Sequence, residues 1–249
     1  MRKITALDNP EVKKIVTLQT SKGRQAHRRF TAEGWRTITT LISGNFRPLA
    51  IYITEAAFDT AKETFKDFEL TLVSQAVMQK ISHGTTPSGV LAVFPLRQER
   101  IPQNLESGLV LAQIADPGNM GTLIRTAVAM DIRTIVVVEG VDPWSPKVVQ
   151  ATAGTLALAN ILRLSWDQVL EIAQNTKLYA LVARGGKNIQ KIHDHRCLVV
   201  VGNEAHGIPE EWISECNEKI TIPMPGSAES LNAAIAGSIA AYLVFGRKD

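Results

Sequence analysis

The sequence predicts an α/β protein in two parts, a small N-terminal α/β domain over residues 1–94 and a C-terminal domain over 108–249 built on a mostly parallel sheet. Three observations predict this. Continuous apolar runs at Leu109–Ile114, Thr134–Val138 and Cys197–Val201 alternate with helical patterns, as in parallel strands covered on both faces. Pro95–Ser107 is polar, holds two prolines and lacks a period, so it reads as a linker over 95–107. The length of 249 residues, with 45% apolar and 20% charged residues, suits one large or two ordinary globular domains.

In the first part, Asn9-Pro10 precedes a helical pattern through Val12, Ile15, Val16 and Leu18. Glu33–Ile42 reads as a helix ended by Ser43-Gly44-Asn45. Leu49–Ile53 reads as a strand, Phe58–Phe68 as a helix and Glu69–Val73 as a strand. Ala76–Ser82 is helical, His83–Pro87 a turn and Gly89–Phe94 a last strand. In the second part, strand Leu109–Ile114 leads through a loop at Ala115–Asn119 into helix Met120–Met130, and strand Thr134–Val138 follows. Ser145-Pro146 opens helix Lys147–Ala153. Leu156–Leu164 fits either a helix or a strand and holds a short strand. Trp166–Asn175 and Pro209–Ser214 read as helices, Leu178–Val182, Cys197–Val201 and Lys219–Ile222 as strands, and Leu231–Phe245 as the final helix.

The charge is uneven. Residues 1–50 hold ten Lys/Arg against three Asp/Glu, a net of +7, and the other 199 hold seventeen against twenty-one, a net of −4. Arg24, His27, Arg28 and Arg29 cluster ahead of Phe30, either as a solvated helical face or as a nucleic-acid contact. Cys197 and Cys216 form neither a metal-ligand spacing nor a disulfide framework, so no metal is expected. No apolar stretch is long enough to cross a bilayer, and Met1–Ile4 opens no signal peptide, so the expected location is cytoplasmic, without a membrane partner.

Three loops carry the chemistry. Asp116-Pro117-Gly118-Asn119-Met120-Gly121 follows a strand and opens a helix, so its N–H groups could hold an anion. Arg125, inside that apolar helix, is either an outer-face arginine or one placed for an anionic partner. Gly202-Asn203-Glu204-Ala205-His206-Gly207 offers glycines for positive φ or close backbone approach to a ligand. Ser230-Leu231-Asn232 opens the final helix; Ser230 alone reads as an N-cap, and Asn232 falls in the first apolar turn. No P-loop, Ser-His-Asp order or dinucleotide fingerprint occurs.

Taken in order, these loops resemble the three motifs of the SpoU-type (TrmH-like) branch of the SPOUT RNA methyltransferases. The matching residues are Asn119-x-Gly121-Thr122-Leu123-x-Arg125-Thr126-Ala127, Gly202-Asn203-Glu204-x-x-Gly207, and Ile222-Pro223-Met224-x-Gly226-Ser227-x-x-Ser230-Leu231-Asn232. Asp142–Val149 and the N-terminal Asn9-Pro10-x-Val12-Lys13, Arg24, Arg28, Phe30, Glu33-Gly34 and Thr86-Pro87-x-Gly89-Val90 also match. The family often has Arg-Ala-Ser where this chain has Gln150-Ala151-Thr152, which puts a phosphate contact at 150 in doubt.

The resemblance implies methylation of a ribose 2′-hydroxyl of RNA with S-adenosyl-L-methionine and no metal. It implies a deep trefoil knot in the C-terminal domain and a homodimer with active sites at its interface. By resemblance, Arg125, Asn119, Glu204, Ser230 and Asn232 form the catalytic set. Gly202, Ile222, Leu231, Met224 and Gly207 hold the cofactor, and Arg24, Arg28, Arg29 and Lys147 contact RNA. The long N-terminal module favours rRNA over tRNA; a non-catalytic RNA-binding protein of the same fold is the alternative outside the enzyme class.

Overall fold

The structure, a computed structural model, describes residues 2–98, 101–194 and 196–246. Its contacts divide it into two compact units. One holds the residues up to Gln98 together with Trp144–Ala157, the other Glu99–Pro143 with the residues from Leu158 on. Residues 144–157, which chain order assigns to the C-terminal part, thus pack with the N-terminal one. In the stretch expected as a linker, Pro95 ends a strand and Leu105 is buried in the second unit's core. Glu99 and Arg100 of that stretch, and the chain end 247–249, lie outside the described residues.

The first unit runs β1 (Arg2–Ile4), α1 (Pro10–Thr17), α2 (Ser21–His27), β2 (Arg29–Glu33), α3 (Trp35–Ser43), β3 (Ala50–Ile53), α4 (Phe58–Thr64), β4 (Leu70–Val73), α5 (Gln75–Ile81) and β5 (Val90–Pro95). The strands form one mixed sheet in the order β1-β4-β3-β5-β2. Helix α1 starts where expected: Asn9 accepts from the Glu11 N–H and Pro10 needs no donor at the first helical position. Ile4, Val12, Ile15, Val77, Met78 and Leu91 share one core, each such buried side chain contributing about 1.5–3 kcal/mol.

Three elements here escaped the sequence reading. Strands β1 and β2 are too short, and in β2 too polar, to show alternation, and α2 has only seven residues, with Arg24 and His27 of the basic cluster on it, Arg28 at its C-cap and Arg29 already in β2. Glu33, expected to start a helix, is the last residue of β2, because Gly34 at φ 86° breaks the chain between strand and helix. A helix at Pro146–Ala151, capped by Ser145, packs on β2. Trp144 beside it joins Phe30 and Phe46, with ring centroids 5.0 and 5.8 Å away.

The second unit contains β6 (Gly108–Ala112), α6 (Pro117–Ala129) and β7 (Thr134–Val138). After the Pro146–Ala151 helix, α7 in chain order, come β8 (Asn160–Arg163), α8 (Trp166–Ile172), β9 (Lys177–Leu181) and β10 (Lys187–Asn188). They are followed by β11 (Cys197–Val201), α9 (Glu210–Glu215), β12 (Glu218–Thr221) and α10 (Ala233–Phe245). Seven strands form a sheet in the order β10-β12-β9-β11-β6-β7-β8, and every ladder is parallel. The ambiguous 156–164 stretch resolves into a short 3-10 turn, Thr155–Leu158, and then β8.

Successive strand residues face opposite ways. Val110, Val136, Ala180, Leu198 and Val200 face α8 and α9, where Trp166 and Trp212 stack at 4.9 Å. On the other face, Val201 meets α10 and α6 at Gly237, where an added Cβ would lie 2.4 Å from Leu123 Cδ2. Only glycine lets the two helices and the sheet meet there. Among the described residues, no helix is long and apolar enough to cross a membrane.

Candidate active site

Asp116 sets where α6 begins. Its carboxylate accepts the Asn119 N–H at 2.8 Å and Pro117 occupies the first helical position, so the helix starts three residues before the expected Met120. Asn119 therefore sits in the first turn, and its side chain is held by a residue far along the chain. Asn119 Nδ2 donates to Glu204 Oε1 at 2.8 Å, and the same carboxylate accepts the N–H groups of Ala115 and Asp116, each at 3.2 Å. Burial acts to raise the Glu204 carboxyl. The hydrogen bonds from Asn119, from its own N–H and from Ala115 and Asp116 outweigh it and hold the group below its ordinary value.

The Glu204 loop is built by Asn203, to which the sequence reading assigned no role. Asn203 and Gly207 exchange backbone hydrogen bonds of 2.9 and 3.0 Å. Asn203 Oδ1 accepts from the Ala205 and His206 N–H groups, and Nδ2 donates to the Gln113 carbonyl at 2.8 Å. Gly207 has φ 70°, whereas Gly202 is required for another reason: an added Cβ would lie 2.4 Å from the Gly207 carbonyl carbon. The close approach at Gly202 is thus to its own loop.

The third loop corrects the reading of Ser230 as the helix cap. Asn232 is the N-cap of α10, its Oδ1 accepting from Ala234 and Ile235 at 2.9 and 3.2 Å. Its Nδ2 donates to Asn119 Oδ1 at 3.2 Å, so Asn232, Asn119 and Glu204 form one chain linking all three loops. Ser230 lies before the helix, exposed at the edge of the cavity described next.

The second and third of these loops, with the segment that follows β9, enclose a cavity of about 320 Å³ at the carboxyl ends of β9, β11 and β12, where parallel α/β sheets bind ligands. Its lining includes Gly202, Glu204, Gly207, Ile222, Met224, Ser230 and Leu231. It also includes Leu181 and Val182, within the expected strand Leu178–Val182, and Ala183, to which the sequence gives no role; the Gly185-Gly186 pair just beyond was the available signal. Arg125 is not in the lining. It is exposed on α6, six residues and so about a third of a turn around from Asn119, with no hydrogen bond or ion pair among the described residues.

Of the expected RNA contacts, Arg24 is placed elsewhere. It is 3% exposed, and its guanidinium donates to the Leu18 and Gln19 carbonyls at 2.9 and 3.1 Å, satisfying the end of α1. Arg28 is exposed and donates to the Arg97 carbonyl, Arg29 is half-buried, and Lys147 is exposed on α7.

An all-parallel α/β unit with a strand-end cavity, in one chain with a mixed α/β unit, defines a two-part α/β protein with a ligand-sized site. The chain belongs to the SpoU rRNA methylase family, whose model matches residues 106–242, and it is thereby an RNA methyltransferase; residues 9–92 match the MRM3-like substrate binding domain. It is 30% identical to an uncharacterised tRNA/rRNA methyltransferase of Synechocystis over 96% of this chain and 92% of the relative. It is 25% identical to the 23S rRNA (guanosine(2553)-2'-O)-methyltransferase RlmP of Bacillus subtilis over 97% and 98% of the two chains. Its fold matches the AdoMet-bound rRNA methyltransferase of Sinorhizobium meliloti with a TM-score of 0.83, 28% identity and coverage of 98% and 97%.

Proposed function

We propose that the protein methylates a ribose 2′-hydroxyl of rRNA, with S-adenosylmethionine bound in the strand-end cavity of the second unit. The observation that carries this is the hydrogen-bonded chain Asn232–Asn119–Glu204 beside that cavity, which ties together three loops distant in sequence. The lining suits the cofactor. Ile222, Met224 and Leu231 supply apolar surface for a flat base, and the Gly202–Gly207 loop supplies backbone polar groups for its edge.

The bound cofactor supplies an electrophilic methyl on a sulfonium, so the chain has to bind, position and neutralise. Glu204 holds Asn119 and the Ala115–Asp116 backbone, and Asn232 holds the start of α10, so the loops are ordered before substrate arrives. Arg125, exposed and unpaired among the described residues, is left available for the acceptor's phosphate. A guanidinium stays protonated at ordinary pH, so its part is electrostatic. Arg28, Arg29 and Lys147 serve RNA binding, and Arg24 is assigned to structure.

A homodimer completes the reading. Helix α10 is apolar all round, yet Ile235 is 53% and Tyr242 58% exposed, with Leu231 just before the helix at 37%. Seven residues apart, Ile235 and Tyr242 share a face of the helix that a second copy would cover. The trefoil knot belongs to the same reading: the chain passes from β12 through the 222–232 loop and returns as α10 against α6 and β11. The location proposed is cytoplasmic.

The test is transfer of labelled methyl from S-adenosylmethionine to deproteinised rRNA or tRNA by the purified chain. Ribose-methylated nucleosides from rRNA alone are expected. Label in tRNA alone would move the substrate, and label on a base would refute the ribose assignment.

A further inference from the structure

A separate cavity of about 430 Å³ lies within the first unit, between α7 and the turn at 82–88. It is preformed. Glu33, at the end of β2, accepts hydrogen bonds from the Ser82 hydroxyl at 2.5 Å, the His83 N–H at 3.3 Å and the Ser88 N–H at 3.0 Å. One carboxylate thus clamps both ends of the turn. The buried Thr31 hydroxyl meets His83 Nε2 at 3.1 Å and fixes the ring. Desolvation pulls the His83 pKa below its ordinary value although Glu33 opposes it, so at neutral pH the ring is an uncharged plane.

The opposite wall comes from α7. Gln150 and Lys147 are exposed there and make no hydrogen bond or ion pair among the described residues. The charges are therefore divided, a carboxylate on one wall and an ammonium on the other. An anion filling the cavity would meet Glu33, and a cation would meet Lys147. A neutral planar ring with donors and acceptors on its edge, followed by a phosphate, meets neither conflict. That is the chemistry of one nucleotide of single-stranded RNA, whose splayed bases stack on flat side chains and hydrogen-bond along their edges. The volume is within the range of about 300–1,000 Å³ common for small-ligand sites.

We propose that this cavity takes one unstacked nucleotide of the RNA substrate, its base against His83 and the Gln150 amide and a flanking phosphate at Lys147. The proposal rests on the RNA-methyltransferase reading above. It also gives Gln150 a use: an amide at this position reads a base edge with paired donor and acceptor, as a guanidinium does not.

The test uses the full chain and a single-stranded oligoribonucleotide containing thiouridine. After photo-crosslinking, mass spectrometry should find RNA attached to peptides holding 82–88 or 146–151. Gln150→Ala should weaken affinity about 3- to 10-fold, the loss of one or two hydrogen bonds, with an unchanged salt slope. Lys147→Ala should flatten the log–log salt slope by about 0.7, one phosphate contact on a single strand. Both side chains are exposed, so melting temperatures should match the parent. Crosslinks confined to other segments, with both variants binding like the parent, would overturn this pocket and leave the RNA reading standing. A parent protein that neither binds nor methylates any RNA would overturn both.

Discussion

Asn119 and Glu204, 85 residues apart, meet at 2.8 Å across the mouth of the sheet, and that bond joins the α6 loop to the β11 loop. A carboxylate suits the position because it accepts at once from the Asn119 side chain, from the Ala115 and Asp116 N–H groups and from its own N–H.

The pH dependence of this contact has a definite sign. The folded-state pKa of Glu204 is depressed below 4.5, so its contribution is fully present above about pH 5 and is lost as pH falls through the folded value. Titration of S-adenosylmethionine binding from pH 7 to pH 3 should show the parent holding affinity through the ordinary carboxylate range and losing it only below. Glu204→Gln should bind more weakly at pH 7 and change less over the same interval. Parallel pH curves for the two proteins would contradict the assignment.

Arg24 should behave as a core residue. Arg24→Ala leaves the Leu18 and Gln19 carbonyls without their charged donor and should cost about 2–3 kcal/mol in urea unfolding. Arg28→Ala with Arg29→Ala should cost little stability and flatten the salt dependence of RNA binding. Loss of RNA affinity in Arg24→Ala at full stability would reverse this division.

Most of the second unit was legible in the sequence because its strands are unbroken apolar runs; Cys197–Val201 is read to the residue. The first unit was less so. Its edge strands β1 and β2 are set by pairing with β4 and β5, partners remote in sequence. The three loops were visible as motifs, and their order pointed to the cavity. What one dimension hid was the hydrogen bonding: that Asn203 organises its loop, that Asn232 rather than Ser230 caps α10, and that a basic cluster contains one buried arginine. The attachment of 144–157 to the first unit was hidden too, since it depends on α7 packing against β2 and Trp144 against Phe30.

Covering of the α10 face can be measured by sedimentation. Ile235→Asp with Tyr242→Asp puts two charges on the exposed apolar stripe and should convert a dimer into a monomer. Methyl transfer should fall with the dimer. A parent that sediments as a monomer, or a double variant that remains dimeric, would remove this face from the interface.

Arg125 is exposed, so Arg125→Ala should leave stability within about 0.5 kcal/mol and S-adenosylmethionine affinity near that of the parent. Single-turnover methyl transfer at saturating cofactor and RNA should be lost. Arg125→Lys should restore little of it, because an ammonium cannot make the two parallel bonds of a guanidinium. A near-normal rate in Arg125→Ala would make it an ordinary surface residue.

The most direct measurement is a map of ribose 2′-O-methylation across rRNA and tRNA from cells with and without the gene. The account predicts one rRNA position that loses its methyl group in the deletion and regains it on complementation with the parent, but not with Arg125→Ala. An unchanged rRNA map, or a loss confined to tRNA, would contradict it.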